Sequence, residues 1–137
     1  MARLLVVEDE HEIRSILVEL LQEVGYDVIA AASGDDASVL LQTAPGFDAL
    51  VTDIHMPGQL DGLALARLFR EQYPESPIVY VTGNPGALRH TAICSGKDAV
   101  LPKPYWLPAL IRALDLLLAA ESRACDAARA EAKLLAA

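Results

Sequence analysis

This sequence predicts an α/β domain, a parallel sheet of five strands covered by helices on both faces, and three observations carry the prediction. Short apolar runs alternate along the chain with longer segments whose apolar residues recur at three- and four-residue steps. The short runs are continuously apolar, as strands buried on both faces of a parallel sheet are. Several of them end abruptly in a polar or charged residue followed by turn formers. In open α/β sheets that edge is the ligand-binding one, because the loops diverge above the carboxyl ends of the strands.

The first run, Leu4 to Val7, ends in Glu8, Asp9 and Glu10. From Glu12 to Val24 the residues Ile13, Ile16, Leu17, Leu20, Leu21 and Val24 mark a one-sided helix that Gly25 ends. Tyr26 to Ala32 reads as the second strand. Ser33 can cap the next helix, whose buried face is Ala37, Leu40, Leu41 and Ala44, and Pro45-Gly46 closes it. Ala49 to Thr52 is the third strand, with Asp53 at its carboxyl end. Met56-Pro57-Gly58 then turns the chain, since proline fixes φ and glycine tolerates positive φ.

A third helix begins near Leu60 or Asp61 and packs Leu63, Leu65, Leu68, Phe69 and Tyr73 before Pro74. Pro77 opens the fourth strand, Ile78 to Val81, which ends in Thr82-Gly83. After Asn84-Pro85-Gly86 comes the weakest expected helix, Ala87 to Ser95, anchored by Leu88, Ala92 and Ile93 alone. The fifth strand, Ala99 to Leu101, leads into Pro102-Lys103-Pro104, where two prolines stiffen the backbone around the lysine. Trp106 to Ala120 is the last helix, with Leu107, Leu110, Ile111, Leu114 and Leu118 on one face. With right-handed crossovers, the alternation gives a flavodoxin-like (βα)5 three-layer sandwich, for which the strand order is 2-1-3-4-5.

Composition limits what such a domain can do. At 137 residues and 53% hydrophobic residues, with a mean hydropathy of +0.31, the chain is expected to build one sizeable core. A net charge of -8 and the lack of a basic stripe argue against direct nucleic-acid binding. Cys94 and Cys125 lie far apart, with no Cys-x-x-Cys and no clustered histidines, so neither a zinc site nor a disulfide framework is expected. The amino terminus is too brief for a signal peptide, and no apolar run approaches ~20 residues, so a cytoplasmic protein without membrane insertion is expected. His11 and His90 read as exposed helix residues, Tyr105 and Trp106 as anchors of the last helix.

The strand ends carry the chemistry. Glu8, Asp9 and Asp53 converge from two strands, and like charges at close range repel unless a cation intervenes. Oxygen-only ligands suit Mg²⁺, which keeps waters and commonly links carboxylates to a phosphate. Lys103 supplies a point positive charge and Thr82 a hydroxyl, both suited to a phosphoryl group. Asp53 is then the nucleophile that forms an acyl phosphate.

In order and spacing, Glu8-Asp9, Asp53-Ile54-His55-Met56-Pro57-Gly58 with Asp61-Gly62, Thr82-Gly83, and Lys103-Pro104-Tyr105 resemble a response-regulator receiver domain of two-component signalling, over about Arg3 to Ala120. The resemblance implies Asp53 as phosphoacceptor, Glu8 and Asp9 as the acidic pair, the backbone carbonyl of His55 as a further metal ligand, and Thr82 and Lys103 as phosphoryl-binding and signalling residues. It also implies Mg²⁺ as cofactor, a histidine kinase or histidine phosphotransfer protein as donor, and a downstream protein partner. Such a domain is no enzyme beyond promoting its own phosphorylation and slow dephosphorylation.

Val100 stands where the family usually has an aromatic switch residue. Signalling is therefore expected through the Thr82 loop, with Ala87 to Ser95 in the partner surface. Thr82-Gly83 and Lys103-Pro104-Tyr105 partly resemble the Phe-Ala-Thr-Gly-X-Tyr subgroup, with Pro85 in place of its tyrosine. The loop from Gly58 to Gly62 is one residue longer than the common form.

Rival classes fit less well. A flavin binder needs a hydroxyl- and glycine-rich loop where Glu8-Asp9-Glu10 stand, and a haloacid-dehalogenase-type phosphatase needs a second acid at His55. A receiver-like adaptor that is never phosphorylated is the alternative. Residues 1–120 are assigned to the receiver and 121–137 to an Ala-rich helical tail, which leaves no room for a helix-turn-helix or a catalytic effector. Output through protein contacts follows, with a homodimer through the C-terminal helix set against a tail that touches nothing.

Overall fold

The computed structural model describes the backbone of residues 2–44, 46–56, 58–83 and 97–136, and side chains up to residue 121. In chain order the elements are β1 (Arg3–Val7), α1 (His11–Glu23), β2 (Asp27–Ala31), α2 (Gly34–Thr43), β3 (Ala49–Asp53), α3 (Gly62–Gln72), β4 (Ile78–Thr82), β5 (Asp98–Pro102) and α4 (Leu107–Ala136). The strands form one parallel sheet in the order β2-β1-β3-β4-β5. The helix expected at Ala87 to Ser95, with His90 and Cys94, lies outside the described residues.

Strand alternation sorts the core into two layers. Leu5, Val7, Leu50, Ile78 and Tyr80 face Ala37 and Leu41 of α2 and Leu65 and Phe69 of α3. Leu4, Val6, Val51, Val79 and Val81 face Leu17 and Leu21 of α1 and Leu110 and Leu114 of α4. Register then sets the functional edge: Val7 pairs with Thr52, Asp53 with Val81 and Thr82 with Pro102, so the residues following β1, β3 and β5 emerge together.

Local chemistry ends the helices. Gly25, at φ 104°, closes α1 in the left-handed region, its N–H donating to Gln22 O and the Tyr26 N–H to Leu21 O, both at 3.1 Å. Tyr26 spends its N–H there, and β2 starts one residue later than the apolar run suggests. Ser33 caps α2 by accepting from the Asp36 N–H at 3.1 Å, and Asp61 caps α3 by accepting from Ala64 at 2.8 Å.

One expectation about α4 changes, and its open end is filled in. Trp106 is 76% exposed, so Leu110 and Leu114, both fully buried, anchor the helix instead. The helix runs 30 residues, well past Ala120, because no glycine or proline follows Pro108 and Ala, Glu, Arg and Lys dominate its end. Leu117 packs on the core and Leu116 is exposed.

A partly buried ion pair fastens the sheet's far strand. Both oxygens of Asp98, whose side chain is fully buried at the start of β5, accept from Arg70 of α3 at 2.5 and 2.6 Å, and Oδ1 also accepts from the Ile78 N–H at 3.1 Å. Removing one partner leaves the other charge without its main compensation. Asp98→Ala is expected to lower unfolding stability by about 3 kcal/mol in urea denaturation; a loss under about 0.5 kcal/mol, ordinary for a surface change, contradicts this role.

Candidate functional site

Each predicted site residue stands where a strand meets its loop. Glu8 follows β1 and is 3% exposed, while Asp9 beside it is exposed. Arg14, one turn into α1, donates to the Glu8 carbonyl at 2.9 Å and so holds the acidic loop against the helix. Asp53 ends β3 at 4% exposure. Its position is set by neighbours on both sides: the Thr52 hydroxyl donates to the Asp53 carbonyl at 2.9 Å, the His55 N–H to Oδ1 at 3.2 Å, and the Ile54 N–H to Val81 of β4 at 3.2 Å.

Glycine makes this corner feasible. A Cβ on Gly62 would lie 2.1 Å from the Asp53 carbonyl oxygen and 2.7 Å from Ile54 Cα, so α3 can start against the end of β3 only without a side chain there. The Gly62 N–H donates to Ile54 O at 2.9 Å.

Glu8, Asp9 and Asp53 come together, each offering one carboxylate oxygen within 4.8 Å of the others. Lys103 reaches them from the loop after β5, its Nζ 2.5 Å from Asp53 Oδ2, and its backbone N–H donates to Thr82 O at 2.7 Å. Thr82, at the end of β4, is fully buried. His55 is exposed. The Lys103-Pro104 peptide is cis.

Electrostatics follow from this crowding. Burial pushes Glu8 above the usual carboxylate range; the Lys103 charge pulls it down, and Asp53 and Asp9 push it further up. For Lys103, partial burial works against the ammonium, but the hydrogen bond and charge of Asp53, with Glu8 and Asp9, raise its pKa overall. Burial first, then the negative charges of Glu8 and Asp53, push the Tyr105 phenol up to about 12, so it stays protonated beside the acids.

The donor set fits a hard divalent cation: three oxygen ligands from separate side chains, two of them buried, with one ammonium to offset their charge. Tyr105 borders this site, where the sequence suggested only an anchor for the last helix. Arg14 was not singled out, and its place three residues after His11 on α1 carries no signal that separates it from a solvated arginine.

Comparison with known proteins gives the family. Residues 4–115 match the response regulator receiver domain. Over 121 residues the chain is 36% identical to the response regulator receiver protein CpdR of Brucella abortus (strain 2308), covering 88% of this chain and 99% of that protein. The crystal structure of a response regulator receiver protein from Sinorhizobium medicae WSM419 superposes with a TM-score of 0.82 at 30% identity, covering 88% of this chain and 96% of the other. The response regulator protein TrrA of Thermotoga maritima, solved in complex with Mg²⁺ and BeF, gives a TM-score of 0.73 at 31% identity, with 85% and 99% covered. No described helix is long and apolar enough to cross a membrane. The chain thus belongs to the response regulator receiver domain family, the signalling switches of two-component systems.

Proposed function

We propose that this receiver accepts a phosphoryl group on Asp53 from the phosphohistidine of a histidine kinase or phosphotransfer protein, in a Mg²⁺-dependent reaction, and signals through protein contacts. The observation that carries the proposal is the meeting of Asp53 with Glu8 and Asp9 on one side and the Lys103 ammonium, 2.5 Å away, on the other. An Asp53 carboxylate oxygen attacks phosphorus, a P–O bond forms, the P–N bond to the donor imidazole breaks, and the freed imidazole takes up a proton. Bound Mg²⁺ supplies charge neutralisation between the carboxylates and the incoming oxygens.

Glu8, Asp9 and Asp53 would hold the metal, with the His55 carbonyl, and Lys103 and Thr82 would bind the phosphoryl oxygens. The Mg²⁺ and BeF bound by TrrA support this reading by likeness. Incubation with acetyl phosphate and Mg²⁺ followed by intact-mass measurement tests it: one phosphoryl group is expected, and none in EDTA. An unmodified mass with Mg²⁺ present would leave the adaptor reading in its place.

Residues 1–120 would form the switch and 121–137 a helical extension of α4, in a cytoplasmic protein without direct nucleic-acid contact. A helix of 30 residues is about 45 Å long. Leu116 is 59% exposed on it, and pairing between copies along this helix would cover that side chain. Sedimentation is expected to show a dimer for the full chain and a monomer without residues 121–137; a monomer in both cases removes the dimer.

A further inference from the structure

The loop from Ile54 to Asp61 carries the residues next to Asp53, and its middle is held from outside. The Asp35 carboxylate, in the first turn of α2, accepts from the Gln59 N–H and the Leu60 N–H, each at 3.2 Å. Asp35 is not the cap of its own helix, a role Ser33 fills. The approach is closed from both sides. A Cβ on Gly34 would stand 2.3 Å from the Leu60 carbonyl oxygen, and one on Gly58, whose φ is 109°, would stand 2.7 Å from Asp35 Oδ2. Two glycines and a carboxylate, from elements far apart in sequence, therefore serve one contact.

We propose that Asp35 is a positioning residue of the phosphorylation site, clamping the loop after β3 so that His55 and Asp53 keep the geometry the metal needs. The proposal rests on the phosphoacceptor reading above. A carboxylate accepting two backbone N–H groups makes charge-assisted bonds, and it holds the segment around Gln59 and Leu60 to α2. Mg²⁺ demands near-ideal octahedral geometry, so drift of a carbonyl ligand lowers affinity. His55 is coupled to Asp53 directly, its N–H on Oδ1 at 3.2 Å, and loop drift would reach the acceptor carboxylate as well. Groups hydrogen-bonded directly to a metal ligand cost about 10–100-fold in affinity when removed, and Asp35, acting through Gln59 and Leu60, is expected at the lower end of that range.

The test compares the full chain with Asp35→Ala, Asp35→Asn and Gly58→Ala, each checked for folding by circular dichroism. In metal-free protein, exchange of the Gln59 and Leu60 amides is expected to speed up about tenfold in Asp35→Ala. The Mg²⁺ dissociation constant, from amide NMR titration, is expected to rise about tenfold. Asp35→Asn, with one oxygen still accepting, recovers part of both. Gly58→Ala breaks the contact from the loop side with Asp35 intact, keeps the test valid should Asp35→Ala not fold, and is not additive with Asp35→Asn. Unchanged Mg²⁺ affinity and unchanged acetyl-phosphate labelling in folded Asp35 and Gly58 variants, beside a parent that binds and is labelled, overturns the role of Asp35 alone. A parent that neither binds Mg²⁺ nor is labelled overturns the site reading and this inference with it.

Discussion

Asp53→Asn is expected to abolish the gain of one phosphoryl mass that the parent shows with acetyl phosphate and Mg²⁺, with loss of all labelling at that position. An amide cannot form the acyl phosphate, and the neighbouring acids are poor substitutes for different reasons. Glu8 is buried and holds its proton to a higher pH than a free glutamate. Asp9 is exposed, whereas the Lys103 ammonium is hydrogen-bonded to Asp53 at 2.5 Å. Peptide mapping that finds the phosphoryl group on Asp53 in the parent and an equally labelled fraction in Asp53→Asn would defeat the assignment.

The raised pKa of Glu8 adds a pH signature. Its proton must leave before the carboxylate can bind metal, so Mg²⁺ affinity is expected to fall on acidification, beginning above the ordinary glutamate range. For the metal-free fold the sign is opposite. A folded-state pKa above the unfolded value means stability is present at low pH and is lost as pH rises through the folded value. Thermal unfolding with and without Mg²⁺ across pH 5–8 separates the two, since added Mg²⁺ should stabilise most at the alkaline end.

The residues that the structure brings together could be picked out of the chain because each combines a local pattern with a topological rule. A continuous apolar run that stops in a carboxylate, as Leu4 to Val7 stops in Glu8, marks both a buried strand and its ligand-facing end. Asp53 and Lys103, 50 positions apart, become neighbours only through the strand order, which the strand-helix alternation implies. The supports of the site are a different matter. Asp35 beside Asp36 in a first helical turn looks like ordinary charge at a helix start, and nothing nearby in sequence points to the Gln59 and Leu60 amides. Arg70 and Asp98 are likewise two charged residues with no visible reason to pair, until α3 and β5 pack. The exposure of Trp106 was hidden for the converse reason: an indole reads as core by its size, whereas here it is 76% exposed and the helix is held by Leu110 and Leu114.

Lys103→Ala is expected to separate metal binding from the response to phosphorylation. In the metal-free protein the ammonium is the group that offsets Asp53, whose side chain is only 5% exposed, and its removal leaves that carboxylate facing Glu8 and Asp9. The lysine side chain is itself 32% exposed, which lets water replace part of what is lost, so a destabilisation of about 1–2 kcal/mol is expected without metal. Added Mg²⁺ should restore more stability to Lys103→Ala than to the parent, because the cation no longer shares Asp53 with an ammonium. The phosphorylated form loses differently. Lys103 is tied through its backbone N–H to the Thr82 carbonyl, so its attraction to a phosphoryl oxygen would be transmitted to the end of β4. Without it the acyl phosphate can still form, but the pull on Thr82 is gone. Beryllofluoride added to Mg²⁺-loaded parent is expected to slow amide exchange around Thr82 and Gly83, and to leave exchange there unchanged in Lys103→Ala. An equal slowing in both proteins would assign the conformational response to groups other than Lys103.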